Sequence, residues 1–331
     1  MTTGRATDGT SAATPAATPA ATPAATPAAT LATPALDWQP LPVPPSLLGE
    51  SPFWHPDEAA LYWCDIPGKA LHRWHPGRQQ HDAWPQSSEP ACIAPRLGGG
   101  LLVAYRDGLF NFDTRRGERH RLCQAPYDEQ QERFNDGKAD AQGRFWVGTL
   151  YEPRQPALAA LYCWADGQLK RLFDGITVSN GLACSPQGRT LYRSDTTSHR
   201  IFTHSLDATQ GTLGPEQVFA QFPVRQAGQA LADYGGRPDG AAVDSEGHYW
   251  VAMFEGQRLL RLSPEGAVVQ DIALPVRCPT MPCFGGPDLK TLYITTARHN
   301  RSAEELALQP LAGGVLTARV AVAGLPVNFV A

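Results

Sequence analysis

The sequence has no long apolar runs and no runs of one charge, and each absence excludes a class of protein. No stretch approaches the roughly 18 consecutive apolar residues that a membrane-spanning helix requires. No Lys/Arg run exceeds two residues, and the net charge of -4 argues against an electrostatic nucleic-acid binder. We therefore expect a protein that contacts neither a membrane nor nucleic acid.

Cysteine is scarce and scattered. The chain has seven cysteines, an odd number, and no second Cys/His pair at zinc spacing accompanies Cys278 and Cys283. Neither a disulfide framework nor a structural zinc site is therefore expected. Reduced, mostly buried thiols predict a cytoplasmic location.

Side chains large enough to form a core are rare in the first 36 residues. From Ser11 to Pro34 the chain is almost entirely Ala, Thr and Pro, and Thr-Pro recurs at positions 14, 18, 22 and 26. Repeated proline removes helix donors and fixes φ, so residues 1–36 are expected to form a disordered tail. Proline also interrupts the apolar region that a signal peptide needs. Residues 37–331 are then expected to form one domain, whose activity survives deletion of residues 1 to 35.

Helical periodicity is also hard to find, and short alternating apolar runs take its place. Six runs rich in aromatic and β-branched residues each follow a turn signal, at 60–64, 100–105, 144–148, 190–194, 248–252 and 291–295. Each predicts a strand after a tight hairpin. One hairpin signature recurring about every 40–60 residues indicates six blades of about four strands. The predicted fold is all-β, a six-bladed β-propeller. A β-sandwich is the alternative, but it has no reason to repeat one hairpin six times.

Four of the six units place an oxygen-bearing side chain five residues before the turn: Glu50, Asn135, Asn180 and Asp239. Because the first strand of every propeller blade lines the channel, equivalent positions form a ring near one end. Two carboxylates and two amide oxygens suit a hard divalent cation, whereas two acids packed together without one repel each other. The spacing therefore predicts a cation site. Each motif taken singly can also be an ordinary Asn-Gly or Asp-Gly turn. The other two units offer Ala91 and Met281, which are not ligands for such an ion.

Four motifs occur in order along the chain after the tail: Gly49-Glu-Ser-Pro-Phe-Trp, Arg133-Phe-Asn-Asp-Gly-Lys-Ala-Asp with the following Ala-Gln-Gly-Arg-Phe-Trp-Val-Gly-Thr149, Ser179-Asn-Gly-Leu, and Arg237-Pro-Asp-Gly-Ala-Ala-Val-Asp244. Together they resemble the senescence marker protein/gluconolactonase/luciferin-regenerating enzyme family, the regucalcin-like sugar lactonases. The resemblance implies a six-bladed propeller that holds one divalent cation in its central channel.

The resemblance also implies a role for each residue. Glu50, Asn180 and Asp239 are the implied metal ligands. Arg133, Asn135 and Glu152 are the implied substrate-binding residues. Ca²⁺ is the expected ion, with Zn²⁺, Mn²⁺, Mg²⁺ and Fe²⁺ as alternatives. The expected reaction is hydrolysis of a sugar-acid lactone to the free aldonic acid, with the cation polarising the lactone carbonyl and Asp239 as the general base. The expected partner is thus a small sugar lactone, bound by a monomer or a small homo-oligomer.

Three other functions stay open at this point. A related propeller could hydrolyse another ester or a phosphotriester at the same cation, act as a non-catalytic calcium-binding regulatory protein, or serve as a scaffold for protein partners. Arg133 and Asn135 beside the expected ligands favour catalysis, because an ion buffer has no need of an oxygen-binding arginine there.

Several further residues near these motifs are candidates for supporting roles. Asp136 and Lys138 flank Asn135 and are expected near the channel mouth. His199 and His204 are expected away from the ring, as packed or surface histidines. The segment 225–236 lengthens one interval between units and is interpreted as a lid or a surface loop.

Overall fold

The chain folds into six small antiparallel sheets arranged as the blades of a propeller, in a computed structural model that describes residues 1–2 and 35–331. The prediction of a six-bladed propeller is confirmed. The expected disordered tail falls almost wholly on residues outside the described part.

The strands are numbered along the chain, and β1 (Gln39–Pro40) precedes the first full blade. Blade 1 consists of β2 (Gly49–His55), β3 (Ala60–Asp65), β4 (Ala70–His75) and β5 (Gln80–Pro85). Blade 2 consists of β6 (Pro90–Pro95), β7 (Leu101–Tyr105), β8 (Gly108–Asp113) and β9 (Glu118–Gln124). Blade 3 consists of β10 (Glu132–Ala139), β11 (Phe145–Tyr151), β12 (Ala159–Ala165) and β13 (Gln168–Ile176).

Blades 4 to 6 repeat this pattern with small additions. Blade 4 consists of β14 (Ser179–Cys184), β15 (Thr190–Asp195), β16 (Arg200–Asp207), β17 (Thr212–Leu213) and β18 (Gln217–Gln221). Blade 5 consists of β19 (Arg237–Val243), β20 (Tyr249–Phe254), β21 (Arg258–Leu262) and β22 (Val268–Ala273). Blade 6 contains β23 (Pro279–Gly285), β24 (Thr291–Thr296) and β25 (Leu316–Arg319). A 3₁₀ turn (Leu231–Asp233) and helix α1 (Ala303–Leu308) lie in loops.

Each of the six predicted strands is the second strand of its blade. The runs at 60–64, 144–148 and 248–252, for example, become β3, β11 and β20. The hairpin signature therefore marks the turn that joins the channel-lining strand to its neighbour. Trp63, Trp146 and Trp250 on these second strands are fully buried, because the space between stacked sheets is filled by large side chains.

The ring is closed by the first strand of the chain. β1 pairs with β25, so a segment from near the N-terminus completes the last blade. The backbone N–H of Leu41 donates to the carbonyl of Val315 at 2.8 Å, and the Trp38 indole donates to the carbonyl of Ala273 at 3.0 Å. Closure of this kind removes an exposed sheet edge.

Buried aspartates fix the hairpins of blades 3 and 5. Asp140 Oδ2 accepts from the Trp146 indole at 2.9 Å, and Asp244 Oδ2 accepts from the Trp250 indole at the same distance. The matched geometry shows that the Asp-x-x-Gly turn and the tryptophan six residues later act as one unit. Each unit holds the end of the channel-lining strand that starts at the predicted site.

The C-terminal residues cross the end of the channel opposite the predicted site. The N–H of Val330 donates to Pro95, that of Ala331 to Gly143, and the carbonyl of Ala323 accepts from Ser245. These three partners lie at the end of β6 in blade 2 and in the first hairpin turns of blades 3 and 5, so the segment 323–331 covers that end. No helix in the described ranges has the length and apolarity needed to cross a bilayer.

Candidate functional site

The four predicted ring residues come together at one end of the channel. Glu50, Asn135, Asn180 and Asp239 all line a cavity of about 860 Å³. Each lies at an interruption of the pairing between the first and second strands of its blade. A bulge of this type redirects a side chain, which here places all four polar groups in the channel.

A chain of hydrogen bonds links the ring residues. Arg133 Nη1 donates to Asn135 Oδ1 at 2.7 Å, and Asn135 Nδ2 donates to Asn180 Oδ1 at 2.9 Å. Asn180 Nδ2 then donates to Asp239 Oδ1 at 2.6 Å and to Thr196 Oγ1 at 2.9 Å. Each amide therefore has a fixed orientation, and one lone pair of Asn180 Oδ1 stays free of these bonds.

The glycines after the polar residues serve two different needs. Gly181 has a φ of +61°, so the backbone there does require glycine, as the Asn-Gly motif predicts. Gly240, after Asp239, has no such φ. A Cβ added at Gly240 would lie 2.5 Å from the Met281 Cβ, so the requirement there is space between neighbouring blades.

The two carboxylates of the ring are in an unfavourable environment for negative charge. Burial, and after it the nearby Asp239, raise the pKa of Glu50 well above its ordinary value. Burial raises the pKa of Asp239 to about 8. Across the described part of the chain, no Lys, Arg or His nitrogen lies within the 4.0 Å ion-pair distance of either carboxylate. No side chain in direct contact therefore neutralises them.

The remaining two blades supply no acidic or amide ligand at the ring. In blade 2, Ala91 lies where the pairing of β6 with β7 is interrupted, which is the predicted position, and it is buried. In blade 6, Pro279 pairs with Thr296 and Met281 pairs with Thr295, so Thr280 is the residue that the bulge leaves unpaired. The expected Met281 is thus one residue off. The Thr280 hydroxyl donates to the carbonyl of Gly49 at 2.6 Å and joins blade 6 to blade 1.

The two other predicted substrate residues lie in different parts of the cavity. Arg133 is enclosed beside Asn135, and burial lowers its pKa. Glu152 lies at the rim, where the Arg106 guanidinium donates to Glu152 Oε1 at 2.6 Å and to Glu89 Oε2 at 2.7 Å. The Glu152 carboxylate is therefore held by an arginine that the sequence did not single out.

The positions expected for Lys138 and His199 are wrong. Lys138 lines a second cavity of about 250 Å³ at the opposite end of the channel, next to the C-terminal residues. Asp136 is buried in the wall, accepts from the Leu182 N–H at 2.8 Å, and has its pKa raised to about 6 by burial. His199 lines the site cavity, and its Nε2 lies 2.5 Å from the Tyr234 hydroxyl. His204, as expected, is packed away from the ring.

The segment 225–236 forms part of the cavity wall. Arg225 and Tyr234 both line the cavity, and the 3₁₀ turn lies between them. The segment therefore borders the site and leads into β19. This position is compatible with both interpretations, a lid and a surface loop.

One acidic group elsewhere has the spacing of a metal site. Oxygen or nitrogen atoms of Asp244, Glu246 and His248 lie within 4.8 Å of one another. The Arg261 guanidinium, however, donates to Asp244 at 2.8 Å and to Glu246 at 2.6 Å. A bound arginine already supplies the positive charge, so this group is a structural ion-pair network at the base of blade 5.

Comparison with known proteins defines the family. A profile of the SMP-30/Gluconolactonase/LRE-like region matches residues 48–298. The chain is 44% identical over 281 residues to 6-deoxy-6-sulfogluconolactonase of Pseudomonas putida, covering 85% of this chain and 94% of that protein. It is 32% identical over 274 residues to human regucalcin, covering 81% and 89% of the two chains. The crystal structure of a calcium-binding protein, regucalcin, from Agrobacterium tumefaciens aligns with a TM-score of 0.84 at 27% identity, covering 92% of this chain and all of that one (100%).

The chain therefore belongs to the SMP-30/gluconolactonase/LRE-like family. It is a lactone hydrolase. One structural neighbour is named as a calcium-binding protein. These statements agree with the family and enzyme class that the four sequence motifs predict.

Proposed function

We propose that this protein hydrolyses the lactone of a sugar acid at a divalent cation held by Glu50, Asn180 and Asp239. The observation that supports it most strongly is the convergence of two buried carboxylates and one oriented amide oxygen at the end of the channel. Relatives named gluconolactonase and sulfogluconolactonase support the sugar lactone as substrate.

The donor set fits a hard divalent cation. Its three side chains offer only oxygen atoms, which Ca²⁺, Mg²⁺ and Mn²⁺ prefer. The raised pKa values of Glu50 and Asp239 are those expected of carboxylates that lack their counter-charge. Calcium is the proposed ion because the ring is built from carboxylate and amide oxygens without histidine or cysteine. Zn²⁺, Mn²⁺, Mg²⁺ and Fe²⁺ are the alternatives to be compared with it.

Each site residue has its own role in the proposed hydrolysis. A cation bound at this site would polarise the lactone carbonyl and offset the negative charge that develops on its oxygen. Arg133 donates to substrate oxygens and holds the lactone in place. Asn135 lies beside the substrate and orients Arg133 through its Oδ1, because its two amide hydrogens go to the Ser179 carbonyl and to Asn180 Oδ1. Asp239 accepts the proton of the attacking water through its carboxylate. A new bond forms from the water oxygen to the carbonyl carbon, the ring ester bond breaks, and Asp239 returns the proton to the alkoxide, which leaves the free aldonic acid.

We propose that Glu152 accepts a hydrogen bond from a sugar hydroxyl at the cavity rim. Its bond to Arg106 leaves the carboxylate with further acceptor capacity, since an ionised carboxylate has about four lone-pair positions. The same bond lowers the pKa of Glu152, after the opposing effect of burial, and keeps the group ionised at neutral pH.

The other functions considered for the sequence are less well supported. A non-catalytic calcium-binding protein does not need Arg133, whose Nη1 is held on Asn135 and whose guanidinium faces the cavity. Hydrolysis of another ester or of a phosphotriester would use the same side chains, so only a comparison of substrates distinguishes these reactions from lactone hydrolysis. Carboxylic esters and phosphotriesters therefore belong in the same assay.

The test is a pH-release assay of the metal-stripped protein with a panel of aldonolactones, with each cation added back in turn. Since the Pseudomonas putida relative is named for a sulfonated gluconolactone, the panel contains charged and uncharged lactones. We expect turnover of at least one aldonolactone that depends on added cation. No turnover of any lactone with any cation would overturn the proposal.

A further inference from the structure

Arginine dominates the wall of the site cavity. Six arginines line it: Arg106, Arg133, Arg154, Arg225, Arg237 and Arg301. Four carboxylates share the same wall, and two of these, Glu50 and Asp239, are the proposed cation ligands. The other two, Glu89 and Glu152, together with Glu255 next to the wall, set three charged acids against six guanidinium groups, so the cavity keeps an excess of positive charge around the cation.

Half of these arginines have carboxylate partners. Arg106 pairs with Glu89 and Glu152, as described above. Arg237 and Arg301 both pair with Glu255, each at 2.9 Å. The other three, Arg133, Arg154 and Arg225, have no carboxylate within 4.0 Å among the residues the structure describes. Arg225 donates instead to the carbonyl of Gln229 at 2.8 Å.

Arg154 is the least satisfied of the three. Its side chain donates no hydrogen bond to any residue in 35–331, whereas Arg133 and Arg225 each donate to chain oxygens. It follows the turn after β11, where its N–H donates to the carbonyl of Tyr151 at 3.0 Å. Its charge is near enough to interact with that of Arg237 on blade 5, and it lies on the same wall as Asp239. Arg154 is exposed where it lines the cavity, so its guanidinium fork is open to solvent and to a bound ligand.

We propose that Arg154 binds an anionic substituent of the lactone, at the end of the substrate away from the carbonyl that is attacked. The inference rests on the proposed lactone hydrolysis and adds the charge class of its substrate. Sulfonate, phosphate ester and carboxylate share the required chemistry, which is a pair of anionic oxygens matched by the planar guanidinium fork. A neutral aldonolactone offers Arg154 only hydroxyl oxygens, which bind a guanidinium more weakly.

The test compares glucono-1,5-lactone with its derivatives that carry a sulfonate, a phosphate or a carboxylate at C6. For each, kcat/KM is measured with the cation-loaded full-length protein, and the ratio of charged to neutral substrate is the readout. We expect wild-type protein to prefer at least one charged lactone. In Arg154→Gln that ratio should fall about 10- to 100-fold, mostly through KM, since a charge-assisted pair is lost. Arg154→Lys, which keeps the charge without the fork, should fall in between.

A matched control removes the same charge from the same blade. Arg171 is on the outer strand β13, is half exposed, and pairs with Asp174 at 3.2 Å. Arg171→Gln should leave the ratio of charged to neutral substrate as it is in wild-type protein. Comparison of the three charged lactones shows which anion fits.

Three outcomes decide the inference. A wild-type protein without preference for any charged lactone, or an Arg154→Gln variant with the wild-type ratio, would overturn it while leaving lactone hydrolysis intact. If no lactone is turned over, the proposed function fails, and calorimetric binding of the corresponding C6-charged and neutral aldonic acids to both proteins then gives the ratio directly. Preferential binding of a charged acid that is lost in Arg154→Gln supports the anion site, and equal binding contradicts it.

Discussion

Asn180 donates its amide hydrogen to Asp239 across the boundary between blades 4 and 5, with Nδ2 and Oδ1 2.6 Å apart. An amide that commits its nitrogen to Asp239 must turn its oxygen the other way, towards Asn135. The contact therefore determines which atom of Asn180 is available as a ligand. Hydrogen bonds that fix the orientation of a ligand in this way are common in metal sites.

Asn135 is expected to matter for activity through Asn180 and Arg133. Asn135→Ala removes the donor to Asn180 Oδ1 and the acceptor for Arg133 Nη1. We expect kcat/KM at saturating cation to fall about 10- to 100-fold, the usual effect of losing a partner of this type. Steady-state kinetics together with the dissociation constant of the cation measure it. Asn300→Ala is the control, because Asn300 lines the cavity outside this chain of hydrogen bonds. Equal effects of the two substitutions would contradict the positioning role.

Cation binding is expected to release protons at neutral pH. Burial raises the pKa of Asp239 to about 8, so the metal-free protein holds a proton there that the cation must displace. Affinity for the cation should therefore rise with pH up to about 8 and then level off. Calorimetric titration in two buffers of different ionisation enthalpy at pH 7 counts the protons. A count of zero would mean that Asp239 is already ionised in the metal-free protein.

The raised pKa of Asp239 also determines how the stability of the metal-free protein depends on pH. The ordinary pKa of the carboxyl is 3.8, and the folded protein raises it to about 8, so the folded state binds the proton more tightly than the unfolded chain. The free energy of unfolding should be highest below about pH 4 as far as this group is concerned, and should fall as the pH rises towards 8. Thermal melts of the metal-free protein show it, and saturating cation should abolish the trend.

Asp244 is expected to stabilise the fold without taking part in the reaction. It is fully buried, and its Oδ2 accepts from both Trp250 and Arg261. Asp244→Ala leaves Arg261 without its buried partner and should lower the free energy of unfolding by about 3 kcal/mol. Denaturant unfolding measures this loss. The cation stoichiometry and kcat of the folded variant should match wild type. A lost equivalent of bound cation would show that Asp244, Glu246 and His248 form a metal site after all.

Closure of the ring by β1 predicts two different results for two deletions. Removal of residues 1 to 35 leaves β1 and Trp38 in place and should change neither activity nor melting temperature. Removal of residues 1 to 41 also takes away the pairing with β25 and the Trp38 bond to Ala273. Each lost hydrogen bond is worth about 1 kcal/mol, so the stability should fall by a few kcal/mol. Two deletions with the same melting temperature would show that β1 does not hold the ring closed.

The ring of polar residues could be predicted from the sequence because its signal is local and repeated. Glu50, Asn135, Asn180 and Asp239 stand at a fixed distance from hairpins whose turn residues are easily recognised. Arg106 and Arg154 could not be found in this way, because they lie in loops that differ from blade to blade. The place of His199 in the cavity wall could not be predicted either. Its position in a turn of blade 4 does not reveal the contact with Tyr234, which depends on the folded loops.

The misplacement of Lys138 has a simple geometric cause. A strand rises about 3.3 Å per residue, so the three residues from Asn135 carry Lys138 about 10 Å along the channel. Sequence proximity therefore placed it at the wrong end. The difference between the expected Met281 and the observed Thr280 also comes from strand geometry. The bulge in β23 leaves one residue unpaired, whereas the bulge in β19 leaves two. The hairpin motif does not predict the length of a bulge.

The most direct measurement is lactone turnover by Asp239→Asn and wild-type protein, each stripped of metal and titrated with Ca²⁺. Asparagine keeps the shape of the side chain but removes both a negative ligand and the proposed base. We expect wild-type activity to appear with one equivalent of bound cation. The variant should bind the cation weakly and, even at saturation, should turn over about 10²- to 10⁴-fold more slowly. Near-wild-type lactonase activity in Asp239→Asn, or full activity of the stripped wild-type protein, would contradict the account.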